Sequence, residues 1–170
     1  MEAQVSIIMG STSDLSIMEK AADLLNDFRI PFELNALSAH RTPEKVTKFA
    51  KEAEHRGIKV IIAGAGGAAH LPGVIASLTP LPVIGVPIRS SISIDGWDSL
   101  LSILQMPPGI PVATVGTDAA RNAAILATQI IALADEKVMN TMKNFKAGLG
   151  QKIIKANEEL AGVKYNYKTN

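Results

Sequence analysis

The chain has 170 residues, of which 47% are hydrophobic and 19% charged, and its formal net charge is +1. That length suits one domain burying roughly two-thirds of its unfolded surface, and the near-neutral balance with few aromatics excludes a nucleic-acid footprint. With no cysteine, disulfides, thiolate metal sites and cysteine nucleophiles are excluded as well.

In chain order, Val5–Met9 is a continuous apolar run, read as the first strand, and Gly10-Ser11-Thr12-Ser13-Asp14 breaks it. Leu15 to Phe28 carries apolar residues at Leu15, Met18, Ala21, Ala22, Leu25 and Phe28, a helical spacing. Phe32–Leu37 reads as a second strand, and Pro43–Arg56 as a second helix ended by Gly57. Val60–Ala63 is a third strand, followed by the small-residue segment Gly64–Gly73 and a short helix to about Leu78. Val83–Val86 is a fourth strand, 98–106 a helix, Val112–Val115 a fifth strand, and Asp118 to Asp135 a long helix. Residues 139–161 form a polar-faced extra helix, and 162–170 a loose tail.

Five strand–helix units with continuous apolar strands predict a parallel sheet with helices on both faces. The expected fold is a single-domain, flavodoxin-like α/β/α sandwich over residues 1–170, with a core at about 3–135 and a C-terminal helix and tail at about 137–170. The helix at 118–135 is apolar around most of its circumference, which calls for burial on several sides. With the slightly positive mean hydropathy, this predicts that one of those sides meets another subunit. No apolar stretch reaches membrane-spanning length, and the N-terminus lacks a leader pattern. The expectation is a soluble, untargeted, cytoplasmic protein without membrane or nucleic-acid partners.

In a parallel sheet the strand-to-helix loops emerge at the carboxyl edge, where ligands bind. The three most specialised segments, Gly10–Asp14, Ser38–Pro43 and Gly64–Gly73, follow the first three strands and should converge there. Ser38-Ala39-His40-Arg41-Thr42-Pro43 places an imidazole beside a fixed cation at a helix start. Imidazole exchanges protons near neutral pH, although a polar turn with a helix cap fits the same letters. Ser11 and Ser13 can hold a phosphate or carboxylate. Asp14 either caps its helix or accepts from sugar hydroxyls. Arg41 suits a phosphate, or a salt bridge on the helix face. His70 either donates to a ligand or caps the short helix, and His55 lies on a solvated face.

Gly64-Ala65-Gly66-Gly67-Ala68-Ala69 has no side chain beyond methyl, which permits close backbone approach to a ligand. It fits neither the dinucleotide nor the triphosphate glycine motif. The histidines His40, His55 and His70 form no metal-ligand spacing, so no metal is expected. The loops together suggest a small phosphorylated sugar derivative with His40 near its reactive end.

Gly-Ser-x-Ser-Asp after the first strand, Ser-Ala-His-Arg-Thr-Pro after the second and Ala-Gly-Ala-Gly-Gly-Ala-Ala-His-Leu-Pro-Gly after the third occur together, in order, in one family. With Asp98-Ser99-Leu100, Gln105-Met106-Pro107 and Asn122-Ala123, they make residues 5–135 resemble the N5-carboxyaminoimidazole ribonucleotide mutase (PurE) family of bacterial purine biosynthesis. The resemblance implies a carboxylate shift from the exocyclic nitrogen to ring carbon four of an aminoimidazole ribonucleotide, without metal, ATP or organic cofactor. It implies His40 as the single proton carrier, and Ser11, Asp14, Ser38, Arg41, Gly67, Ala68 and His70 as substrate-binding residues. It also implies a homo-octamer and a transient contact with the ATP-dependent synthetase that makes the substrate.

Arg41 and the long Gly64–Gly73 segment place the chain with the mutases rather than the animal-type carboxylases, which resemble Ser-Ala-His-Lys-Thr. A direct aminoimidazole ribonucleotide carboxylase and a non-catalytic flavodoxin-like nucleotide-binding module are the competing readings. Two segments depart from the family pattern: 88–97, which is one residue longer, and Gly116-Thr117-Asp118.

Overall fold

Five parallel strands in the order β2-β1-β3-β4-β5 form the central sheet of the computed structural model, which describes residues 2–170. They are β1 (Val5–Met9), β2 (Phe32–Ala36), β3 (Val60–Gly66), β4 (Val83–Ile88) and β5 (Ala113–Thr114). The helices are α1 (Leu15–Asp27), α2 (Pro43–Glu52), α3 (Leu71–Ala76), α4 (Trp97–Leu104), α5 (Ala120–Ala132) and α6 (Glu136–Ala161). This is the flavodoxin-like strand order expected from the repeating units, and strand order reverses where β1 lies between β2 and β3.

Side chains that alternate along each strand feed two separate cores. Val5, Ile7, Met9, Ile62, Ile84 and Val86 face α1 and α5. Ile8, Ile61, Ala63 and Val83 face Val46 and Phe49 of α2, Ile75 of α3 and Ile103 of α4. Ile7, Ile62, Ile75 and Ile84 are completely buried, each worth about 1.5–3 kcal/mol relative to exposure. Burial on both faces explains why the strands read as unbroken apolar runs.

Several boundaries differ from the sequence expectation, each for a local reason. β3 continues through Gly64-Ala65-Gly66, whose partners on β4 are Val86, Pro87 and Ile88. The glycines belong to the strand because a Cβ on Gly64 would overlap Met18 Sδ, and one on Gly66 would come within 2.7 Å of Ser90 Cβ. The fifth strand shrinks to Ala113–Thr114, paired only with Ile84 and Gly85. α2 stops at Glu52, and after a 3₁₀ turn at Glu54–Arg56 Gly57 leaves at φ +86°. α5 begins only at Ala120 because Asp118 stands at φ +57° and donates its N–H to Pro87 O. Asp135 caps the following helix instead, accepting from the Lys137 and Val138 N–H groups at 2.9 and 3.1 Å.

Much of the apolar girdle of α5 is covered within the chain. α1 and the sheet cover part of it, Val138 and Phe145 of α6 pack into the same core, and Met142 of α6 is buried. Phe145 meets Phe28 edge-on at 5.3 Å between ring centroids. Beyond Lys146 α6 leaves the body, with Leu149, Ile153, Ile154 and Leu160 about half exposed or more. Trp97, Leu101 and Leu104 form a second exposed apolar stripe, on α4. Among the described residues no helix is long and apolar enough to cross a membrane.

Candidate active site

The loops after β1, β2, β3 and β4 surround one cavity of about 380 Å³ at the carboxyl edge of the sheet, a volume in the usual range for small-ligand sites. Ser11, Asp14, Ser38, His40, Arg41 and His70 all line it. The convergence expected from three loops far apart in sequence is therefore present. Gly67 and Ala68 are not part of the lining; Gly67 is buried at φ +60° beneath Ile92, and Ala68 faces solvent. Ala65, Gly66 and Ala69 border the cavity in their place.

After β1, the Ser11 hydroxyl accepts from Ser13 N–H at 3.3 Å, closing the tight turn Thr12–Asp14. Asp14 makes no side-chain cap on α1 and is only 8% exposed. Burial raises its carboxyl above the usual range, partly offset by hydrogen bonds from the Ser13 hydroxyl and the Ser11 backbone. A carboxylate not used for capping, at the inner end of a cavity, is available to polar hydrogens of a ligand.

After β2, Thr42 Oγ1 accepts from Ser38 N–H and donates to Ser38 O, both at 3.0 Å. This locks the turn before Pro43 enters the first turn of α2. Arg41 folds back over the turn, its Nη2 donating to Gly10 O at 3.1 Å and its Nε to Ser38 Oγ at 3.4 Å. Among the described residues Arg41 enters no ion pair, so the helix-face salt bridge is not formed. It is the one cation in the lining, and its remaining N–H donors suit an anion.

After β3, Ala69 takes φ +45°, a left-handed conformation that costs about 1–2 kcal/mol in a residue with a Cβ. The strain turns the chain so that His70 opens α3 without capping it. Its ring meets His40 instead, with His40 Nε2 2.8 Å from His70 Nδ1 and the rings nearly perpendicular at 85°. One hydrogen lies between the two nitrogens, carried by one ring and accepted by the other. Both rings are exposed at the cavity. His55 is exposed in the 3₁₀ turn after α2 and takes no part in the cavity.

The segment after β4 supplies residues that sequence reasoning did not choose, Ser90, Ser91 and Ile92. Their location at the end of a parallel strand was the available signal. Arg89 N–H donates to Asp118 Oδ1 at 3.0 Å, and Ser93 Oγ donates to Asp98 Oδ1 at 2.6 Å. The Ser93 hydrogen bond is the main reason the Asp98 carboxyl sits below the usual range. The two segments that depart from the family pattern, 88–97 and 116–118, thus hold each other.

Sheet order and the switch point beside β1 define a flavodoxin-like α/β protein whose carboxyl-edge cleft is lined by a histidine pair and one arginine. Residues 4–152 match the family model described as AIR carboxylase. A Pyrococcus abyssi protein named N5-carboxyaminoimidazole ribonucleotide mutase is 58% identical over 143 residues, covering 84% of this chain and 82% of the relative. A Pyrococcus horikoshii protein of the same name is 56% identical over 165 residues, covering 95% of this chain and 92% of the relative. The crystal structure of Treponema denticola PurE superposes with a TM-score of 0.82 at 34% identity, covering 92% of this chain and 97% of that one. The chain belongs to the AIR carboxylase family.

Proposed function

We propose that the chain is an N5-carboxyaminoimidazole ribonucleotide mutase, an isomerase of purine biosynthesis. Its substrate is a phosphorylated aminoimidazole riboside, and its whole length acts as one mutase domain without a cofactor. The observation that carries this reading is the His40–His70 contact at 2.8 Å in a cavity that Arg41 and Ser38 also line.

Arg41 and Ser38 hold the phosphate through guanidinium and hydroxyl donors. Asp14 accepts from the ribose hydroxyls. Ser11, His70 and the small rim of Ala65, Gly66 and Ala69 flank the base. His40 gives its proton to the exocyclic nitrogen as the N–C bond to the carboxylate breaks, releasing CO2 and an amine. Ring carbon four then forms a new bond to CO2 and briefly carries both a hydrogen and the carboxylate. His40, now neutral, removes that hydrogen and the ring regains its aromaticity, so protons balance over the cycle. Acid–base help of this kind is worth about 10²–10⁴-fold, roughly 3–5 kcal/mol.

The exposed apolar stripes on α4 and on the distal part of α6 support assembly of copies into a homo-octamer in the cytoplasm, where contact with the upstream ATP-dependent synthetase would be transient. The test is chelator-treated protein with the carboxyamino ribonucleotide at low bicarbonate and no ATP. The carbon-carboxylated product is expected. Product only from aminoimidazole ribonucleotide at high bicarbonate would make the protein a direct carboxylase, and no product from either would favour a nucleotide-binding module.

A further inference from the structure

Ser90 stands just beyond β4 and borders the cavity, yet its hydroxyl is shielded from water and has no hydrogen-bond partner. Among the described residues it is the one buried side-chain polar atom in that condition. The neighbouring hydroxyls show that acceptors are not scarce in this segment. Ser93 Oγ donates to Asp98, and Ser99 Oγ reaches Gly96 O at 3.0 Å and Ile88 O at 3.2 Å. The Ser90 backbone is fixed as well, its carbonyl accepting from Ser93 N–H at 3.0 Å.

The sheet also makes room for this side chain. Gly66 ends β3, paired with Ile88, and a Cβ there would come within 2.7 Å of Ser90 Cβ and 2.8 Å of Ser90 Oγ. A side chain is omitted at the end of β3, and a hydroxyl is left unpaired beside the cavity. Buried hydroxyls are paired in the large majority of proteins, and exceptions call for a specific reason.

We infer that Ser90 is a substrate-contacting residue whose hydroxyl donates to the migrating carboxylate. Strand order decides which part of the ligand it meets. Arg41 follows β2 and Asp14 follows β1, whereas His70 follows β3 and Ser90 follows β4. The phosphate lies at the arginine side, so the base and its carboxylate lie toward Ser90. This deepens the mutase reading and rests on it.

The experiment compares wild type with Ser90→Ala in turnover, thermal midpoint and calorimetric binding of two nucleotides. One nucleotide is the carbon-carboxylated product and the other is aminoimidazole ribonucleotide, which lacks the carboxylate. Loss of a hydrogen bond to a charged acceptor predicts roughly a 10-fold or larger weakening for the carboxylated nucleotide. Affinity for the uncarboxylated nucleotide and the thermal midpoint should be unchanged, because no bond within the protein is lost. Equal effects on both nucleotides, no effect on either, or a lowered midpoint would each overturn the inference while leaving the mutase reading intact. Absence of turnover by the wild type would overturn the mutase reading, and this inference with it.

Discussion

His40 and His70 share one hydrogen bond, yet the account gives them unequal work, and His70→Ala against His40→Asn separates the two. His70 touches His40 Nε2 at 2.8 Å and makes no cap on α3. Its removal deletes one hydrogen bond, worth about 0.5–1.5 kcal/mol net. At 1.4 kcal/mol per decade this predicts a fall in turnover of about 2- to 13-fold. Removing the proton carrier itself costs about 10²–10⁴-fold. Both rings are exposed, so both variants should keep their thermal midpoint within about 2 °C of wild type. The assay is initial-rate turnover of the carboxyamino ribonucleotide at saturating concentration, with the midpoint measured on the same preparations. If His70→Ala loses as much as His40→Asn, or more, the proton is carried by His70 and the assignment is refuted.

Three other outcomes follow from the geometry. Arg41→Ala should raise KM by about 10- to 150-fold with kcat nearly constant, the loss of a charge-assisted phosphate contact made throughout the reaction. Arg41→Lys, which keeps the charge but loses the fork over Gly10 O, should fall between, and an unchanged KM in Arg41→Ala would remove the phosphate role. For Asp14, burial lifts the folded-state carboxyl above its usual 3.8, so native stability falls as pH rises from there through the folded value. Asp14→Asn should therefore raise the thermal midpoint at pH 7, with the gain vanishing below about pH 3.8, while nucleotide binding weakens. A lowered midpoint at pH 7 would show that the ionised carboxylate stabilises the fold. Gly85→Ala would press a methyl into Ile103 Cγ2 and to within 3.0 Å of Val112 Cγ1, away from the cavity. Overpacking of about 1–3 kcal/mol, at roughly 2–4 °C per kcal/mol, should lower the midpoint and leave turnover in the cold intact. An unchanged midpoint would contradict the packing of α4 on the sheet.

Where a strand is buried on both faces, its letters suffice. Val5–Met9 and Val83–Val86 read as continuous apolar runs because no face of either meets water, although β4 runs two residues further, to Ile88. Gly64 and Gly66 misled for the opposite reason. Glycine reads locally as a loop, and only the approach of Met18 and Ser90 shows that strand packing requires it. β5 has half its expected length because Val112 turns into the α4 core and Gly116-Thr117-Asp118 turns away to start α5. The girdle of α5 was visible, but not its cover, since the packing of α6 back onto it is a tertiary fact.

In the site, His40, Arg41 and Asp14 were legible because parallel topology brings successive loops to one edge. The histidine contact was not, because it spans 30 residues and depends on the strained turn at Ala69. Ser90 carried no signal of its own within Arg89-Ser90-Ser91, and only its orphaned hydroxyl and the missing Cβ of Gly66 distinguish it.

The central claim is that CO2 leaves nitrogen and returns to carbon inside this cavity without mixing with the solvent. The direct measurement uses carboxyamino ribonucleotide labelled with ¹³C in its carboxylate, turned over by the enzyme in unlabelled bicarbonate and read by NMR of the product. The account predicts that the label is retained in the carbon-bound carboxylate, and that His40→Asn forms almost no product. Product carrying unlabelled carboxylate at the bicarbonate isotope ratio would contradict it, because the carboxylate would then have come from solution.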